Sequence, residues 1–206
     1  PDKNLSQYNI LEPSCGDGVF VIEIIHRILM SARLHEFDPY PVIETNVVCY
    51  DIDPEKIKIC HDKIAYTFPG YTFPQLHTRD FLMDDIHEKF DFIVGNPPYI
   101  RYEKISTEAR NLYKKQFLTF HYRADLYVLF FEKALQLLKP KGVHGFICAN
   151  RWLKNEYGKK LRGYIAGNFR LQEIVDLEKS NAFQEKVLAY PAITVISNDA
   201  PSATYH

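Results

Sequence analysis

"LEPSCGDGVF", residues 11–20, carries a strand-like run into a helix-like one through two glycines. Tyr8–Leu11 reads as a short strand, and Val19–Leu34 has helical spacing of Phe20, Ile24, Ile25 and Ile28. Gly16 and Gly18 permit a tight turn and a close backbone approach just before a helix N-terminus. A dinucleotide-binding turn would continue to a third glycine, but position 21 is Val21. Glu12 also places an acid at the turn, which a pyrophosphate would repel and an amino-acid ammonium would accept.

Outward from this turn, strand-like and helix-like segments alternate. Val47–Tyr50 is a second strand. Asp53-Pro54-Glu55 then has the pattern of an N-cap, a proline at the first helical position and a first-turn acid, and the helix runs to about Phe68. Gln75–Thr78 and Phe90–Gly95 are the third and fourth strands. A surface helix is expected over 107–118 and a strong helix over Ala124–Leu138, stopped by Pro140 and Gly142. Val143–Ala149 is a fifth strand, Gly158–Ala166 a helix, Leu171–Asp176 a sixth strand and Tyr190–Ser197 a seventh. Strands separated by helices predict an α/β fold, a mostly parallel seven-stranded sheet with helices on both faces. No helix-length periodic segment separates the last two strands, so the seventh is expected to insert antiparallel.

In such a sheet, ligands sit outside the carboxyl ends of the strands. After the second strand, "YDIDP" puts Asp51 where a carboxylate can accept from both ribose hydroxyls, while Asp53 is spent as the helix cap. After the third, "RDFL" offers Asp80 to an exocyclic adenine amine and Phe81 to the adenine ring. Turn acids and a packing phenylalanine are the plainer readings of these residues. Together with Glu12 and the glycine turn, they describe a nucleoside without phosphates that ends in a charged amino acid. S-adenosylmethionine fits that description.

After the fourth strand comes "NPPYIRYE", residues 96–103. Neither proline has an N–H, both have fixed φ, and each pushes the residue before it out of the helical region. The Asn96 side chain and the Asn96 and Pro97 carbonyls are therefore held in a stiff loop, with an aromatic face at Tyr99 directly after. Such a loop suits a flat, amine-bearing group; a turn with a packing tyrosine is the alternative.

Bulk properties narrow the class. The chain has 206 residues, is 46% hydrophobic and 25% charged, and suits one α/β domain. Its four cysteines are scattered without a CxxC pair and its eight histidines form no ligand set, so neither a metal site nor a disulfide framework is expected. No apolar run approaches a membrane span and no signal peptide opens the chain, so a reduced, cytoplasmic protein is expected, starting at Pro1 as a processed or excised piece. Net charge is −1, yet residues 1–100 carry 8 Lys/Arg against 16 Asp/Glu and the remainder 17 against 10. A basic second half is compatible with a polyanion, or with solvated helix faces.

The chain resembles the γ-type N6-adenine DNA methyltransferases of bacterial restriction–modification systems. "LEPSCGDGVF", "YDID" and "RDFL" are similar to their cofactor motifs, and "NPPYIRYE" to their catalytic motif. "RADLYVLFFEKALQLLKPKG" (123–142), "GFICANRWL" (145–153) and "NAFQEKVLAYPAITVIS" (181–197) follow in the family's order. The resemblance implies a class I S-adenosylmethionine-dependent, Rossmann-like fold. It implies cofactor binding by Glu12, Gly16, Gly18, Asp51, Ile52, Asp80 and Phe81, and catalysis by Asn96, Pro97 and Tyr99. It further implies contacts to DNA from Arg101 and from Phe183 as the base-facing aromatic, and no metal.

Residues 1–206 are then expected to be one catalytic domain of a larger protein. A segment before the glycine motif, a target-recognition domain or subunit, and a nuclease domain on the parent chain are expected to lie outside it. Methylation of cytosine N4, RNA guanine or protein glutamine, and a non-catalytic scaffold, are the rival readings. A dehydrogenase is disfavoured by the missing glycine.

Overall fold

The computed structural model describes residues 3–71, 73–177 and 191–201. The chain divides into two compact units, Pro1–Gly95 and Asn96–His206. Its seven strands form one sheet in the order β3-β2-β1-β4-β5-β7-β6.

In the first unit, β1 (Ile10–Glu12), α1 (Val19–His35), α2 (Pro39–Asn46), β2 (Val47–Asp51), α3 (Pro54–Thr67), β3 (Gln75–Thr78) and β4 (Phe90–Gly95) follow one another. Every described pairing here is parallel: β1 with β2 and β4, and β2 with β3. All of β1 and the first four residues of β2 are buried, as strands covered on both faces must be. The α1 stripe of Val21, Ile24, Ile25 and Ile28 shares one core cluster with Val42 and Ile43 of α2 and Cys60 and Ile64 of α3. Helices α2 and α3 start alike. Asp38 accepts from the Tyr40 N–H and Asp53 from the Glu55 N–H, each with a proline at the start of the helix. Helix α2 lies beyond the elements expected from sequence, and the Asp-Pro start that predicts α3 at Asp53 recurs at Asp38 to account for it.

The second unit holds α4 (Thr107–Gln116), α5 (Tyr127–Gln136), β5 (Leu138–Ala149), α6 (Arg151–Lys154), α7 (Lys159–Asn168), β6 (Arg170–Asp176) and β7 (Pro191–Ser197). As expected, β7 runs antiparallel, to both β5 and β6. The expected Ala124–Leu138 helix is shorter, and β5 begins five residues before Val143. Pro140 and Gly142 lie inside the strand rather than after a helix. Lys141 takes φ +64° there, its N–H donates to the Asn198 carbonyl at 3.0 Å, and the Asn198 N–H returns to the Gly142 carbonyl at 2.9 Å. The Asn198 side chain also donates to the Leu138 and Lys139 carbonyls. This residue thus supplies the pairing that an irregular Pro-Lys-Gly stretch would lack.

Helix α5 is buried continuously from Tyr127 to Leu135. Its Phe131 ring lies 5.2 Å from those of Phe146 and Trp152, and the buried His144 ring lies 4.0 Å from Phe146. Both His144 nitrogens lack a hydrogen-bond partner among the described residues, and burial lowers its pKa to about 3.

Candidate functional site

Three of the predicted acids stand at the ends of the parallel strands of the first unit. Glu12 closes β1, Asp51 closes β2, and Asp80 lies two residues beyond β3. The turn between β1 and α1 uses both glycines in left-handed conformations, φ +53° at Gly16 and +88° at Gly18. Its Gly16 N–H donates to Asp51 Oδ2 at 2.8 Å, and the Asp53 N–H donates to Asp51 Oδ1 at 2.9 Å. Asp51 is therefore fixed by two backbone donors, each using one lone pair of its oxygen and leaving others open. A Cβ on Gly18 would lie 2.7 Å from the Cys60 sulfur, so the glycine also lets the turn seat on α3. Lys63 of α3 pairs with Asp17 at 2.5 Å and lowers the Asp17 pKa.

Glu12 is 1% exposed. Its Oε1 accepts the Ser14 N–H at 3.2 Å, while Oε2 is buried without a hydrogen-bond partner among the described residues. Burial raises its pKa well above the ordinary value; the Ser14 N–H opposes this and the Asp51 charge adds to it. An acid held this way has the Ser14 amide on one oxygen and neither a cation nor a donor on the other among the described residues. Gly95, which sequence reasoning treated only as the end of a strand, is shaped around it. A Cβ on Gly95 would collide with the Glu12 carboxylate. The only sequence signal for this was a glycine at the last position of an apolar strand.

Asp80 accepts the Leu82 N–H through its side chain at 2.9 Å and the Asp84 N–H through its carbonyl at 2.9 Å, forming a short capped turn. Phe81 departs from the expected role. It is 2% exposed, with its ring edge-on to Tyr50 at 5.9 Å, so it serves the core and offers little open face to a bound ring. Ile52 is the apolar side chain left in the open beside Asp51, 68% exposed.

The second unit begins with the stiff loop. Asn96 is exposed, Pro97 buried and Tyr99 43% exposed. The Tyr99 ring rests 6.2 Å from that of Tyr127, whose hydroxyl lies 3.1 Å from the Tyr157 hydroxyl. Burial pushes the Tyr99 and Tyr127 phenols up, so both are neutral at physiological pH. Tyr127 and Tyr157 were not singled out in the sequence; only tertiary packing brings them under Tyr99. Arg101 caps the three-residue 3-10 turn Tyr102–Lys104, and with Arg151 it opposes the burial that raises the Asp125 pKa. Phe183 lies outside the described residues. Among the described residues no group of His, Cys, Asp and Glu could hold a metal ion, and no helix is long and apolar enough to cross a membrane.

The Eco57I restriction-modification methylase family matches residues 62–183. The chain is 40% identical to the Type II methyltransferase M.BstVI of Geobacillus stearothermophilus over 212 residues, covering 95% of this chain and 38% of that protein. It is 38% identical to M.XhoI of Xanthomonas vasicola over 217 residues, covering 98% and 39%. The chain thus spans under two fifths of these relatives. Among solved structures, a Listeria monocytogenes protein described as a class I S-adenosylmethionine-dependent methyltransferase superposes with a TM-score of 0.72 at 18% identity, covering 98% of this chain and 58% of that one. The Type ISP restriction-modification enzyme LlaGI, solved with a DNA substrate mimic, gives 0.76 at 17% identity, covering 98% and 24%.

Proposed function

The chain belongs to the family of Eco57I restriction-modification methylases, and from that premise we propose that it moves the methyl group of S-adenosylmethionine to N6 of an adenine in DNA. The observation that carries this reading is the sequence of strand ends: an acid with an unshared buried oxygen, a glycine turn, a backbone-fixed acid, a capped acid, then Asn-Pro-Pro-Tyr.

The residues fit the cofactor. Glu12 Oε2 suits the ammonium of its amino-acid end, which would give that oxygen the charged donor it lacks. Asp51 has lone pairs left for ribose hydroxyls, Asp80 can accept from the adenine amine, and Ile52 offers apolar surface to the ring. Gly16 and Gly18 let the backbone approach closely. When bound, the cofactor supplies an electrophilic methyl on a positively charged sulfur.

The target amine is a poor nucleophile because its lone pair is conjugated into the ring. The Asn96 side-chain oxygen and the Pro97 carbonyl would accept its two N–H groups, which favours a lone pair localised on nitrogen. Both acceptors are neutral, as suits a nitrogen that gains positive charge on attack and then sheds a proton to solvent. The amine is out of reach inside a duplex, so the base must flip out. Tyr99, neutral and partly open, is the stacking face, worth ~1–3 kcal/mol per base. Phe183 is the second aromatic that the family resemblance supplies.

In this reading residues 1–206 are the methyl-transferring core and act in the cytoplasm. Choice of DNA sequence would come from a further domain or subunit, and a nuclease would be a partner in restriction. Cytosine N4 is the second reading, because two acceptors grip any ring-borne amino group. Transfer of labelled methyl to mixed-sequence DNA, followed by digestion to nucleosides, tests the assignment. Label in N6-methyladenine is expected; label in N4-methylcytosine would replace the base but keep the chemistry, and label confined to protein or RNA would overturn it.

A further inference from the structure

We infer that the loop 117–123 is a second DNA contact, a rigid ledge on which His121, Tyr122 and Arg123, with Lys160 of α7, receive a DNA strand. The inference rests on the DNA reading above and adds a site to it.

The first observation is how the loop is held. Glu132 lies in the middle of α5, fully buried. Its Oε1 accepts the Leu118 N–H at 3.0 Å and its Oε2 the Thr119 N–H at 2.7 Å, with Gln136 Nε2 on Oε1 at 3.2 Å. A buried carboxylate is costly unless its lone pairs are filled, so this side chain fixes two consecutive loop amides to a core helix. Lys160 Nζ donates to the Phe120 carbonyl at 3.0 Å, and the Leu126 N–H donates to the Ile100 carbonyl at 2.8 Å. The loop is thereby joined to α5 and to α7, and its Phe120 ring lies 6.1 Å from that of Tyr102, in the segment that follows Tyr99.

The second observation is what so firm a support displays. Tyr122 is 57% exposed, and its ring stacks on that of His121 at 4.6 Å and 20°. The Arg123 guanidinium sits 5.3 Å from the Tyr122 ring centre, and the Arg123 N–H donates to His121 Nδ1 at 3.1 Å, which settles the ring orientation. Among the described residues neither Arg123 nor Lys160 has a carboxylate partner; the nearby Glu156 pairs with Lys159 at 3.9 Å. Residues 104–123 carry five Lys/Arg against one Glu. Burial, then the Lys160 and Arg123 charges, lower the His121 pKa, with the Glu156 charge opposing them.

Stacked rings beside cations that no carboxylate pairs are what a nucleic-acid strand uses, bases on the rings and phosphate on the guanidinium and ammonium. A protein partner would be read by apolar area and paired charges, and here the cations outnumber the acids. Preorganisation by Glu132 keeps the cost of ordering these side chains out of the binding step.

The test is equilibrium binding of a short fluorescein-labelled DNA, as single strand and as duplex, across a salt series, to the wild-type protein and to Tyr122→Ala and Arg123→Ala. Both positions are exposed, and matched thermal melts check the fold. Tyr122→Ala should bind about tenfold more weakly. Arg123→Ala should bind about fivefold more weakly, with the slope of log affinity against log salt shallower by ~1. S-adenosylmethionine affinity should not change in either. Wild-type binding with both variants indistinguishable from it would overturn the ledge alone, and leave the loop to some other partner. No DNA binding by the wild type would sink the DNA reading and the ledge with it.

Discussion

The two units solve opposite electrostatic problems. Pro1–Gly95 is acidic, with 16 Asp/Glu against 8 Lys/Arg, and presents its acids at the ends of buried parallel strands, tied by backbone amides. Asn96–His206 is basic, with 17 Lys/Arg against 10 Asp/Glu, and presents neutral acceptors, aromatic faces and cations from loops. The first pattern suits a small ligand that carries positive charge. The second suits a polyanion with flat bases. In the proposed function, the cofactor-binding residues precede the Gly95–Asn96 boundary in sequence and the amine-binding residues follow it.

The largest effect should come from the junction itself. Asn96→Ala removes one of the two amine acceptors, and methyl transfer should fall by ~10²-fold or more while cofactor affinity stays within a factor of about two. Single-turnover kinetics beside a cofactor titration would check it, and a parallel loss of cofactor binding would erase the division between the units.

Next is Glu12→Gln. A neutral amide cannot replace a charge-assisted bond to an ammonium, so cofactor affinity should fall about ten- to hundredfold. The sign for stability is opposite. The Glu12 pKa is raised in the folded chain, so its burial costs nothing in acid, where it is protonated folded and unfolded alike. The cost grows as pH climbs past the ordinary carboxylate value. The variant should therefore melt higher than wild type at neutral pH, and the gap should close on acidification. Thermal melts across that range would expose the contrary order.

Gly95→Ala follows. The added methyl meets the Glu12 carboxylate, so about 1–3 kcal/mol of stability should be lost, with weaker cofactor binding. Denaturant titration of the variant is the check, and wild-type stability would mean that Glu12 has room to move.

How far the sequence disclosed this depended on the range of the interaction. The succession of most strands along the chain, the glycine turn and the placement of Asp51 at a strand end are legible because each is set by residues within a few positions, as at Asp53-Pro54. Helix α2 carried the same local signature at Asp38-Pro39 and was simply missed. Gly95 was invisible because its neighbour Glu12 is 83 positions away, a distance only the fold closes. Phe81 was given to a ligand because its motif adjoined one, whereas packing on Tyr50 claims the ring. The early start of β5 was hidden because Asn198, far downstream, supplies what Pro140 lacks.

A contrast in the pH dependence of stability comes last, because its His144 half has no effect at neutral pH. Glu12 in the first unit and His144 in the second are each buried against their charged forms, and their pH responses run in opposite senses. His144 has its pKa lowered from 6.5 to about 3, so between these values the unfolded chain binds a proton that the folded chain refuses. Stability is fully present above the unfolded value and falls with pH below it, by at most ~1.4 kcal/mol per pH unit. His144→Phe should flatten that acid limb in denaturant titrations, and an unchanged limb would assign the acid loss elsewhere.

The most direct measurement is calorimetric titration of S-adenosylmethionine into Glu12→Gln and Asn96→Ala side by side, with methyl transfer measured on the same preparations. Binding lost in the first and kept in the second, with transfer severely impaired in both, is the predicted result. Equal cofactor affinity in the two variants would contradict the division of the ligand chemistry between the strand-end acids and the Asn-Pro-Pro-Tyr loop.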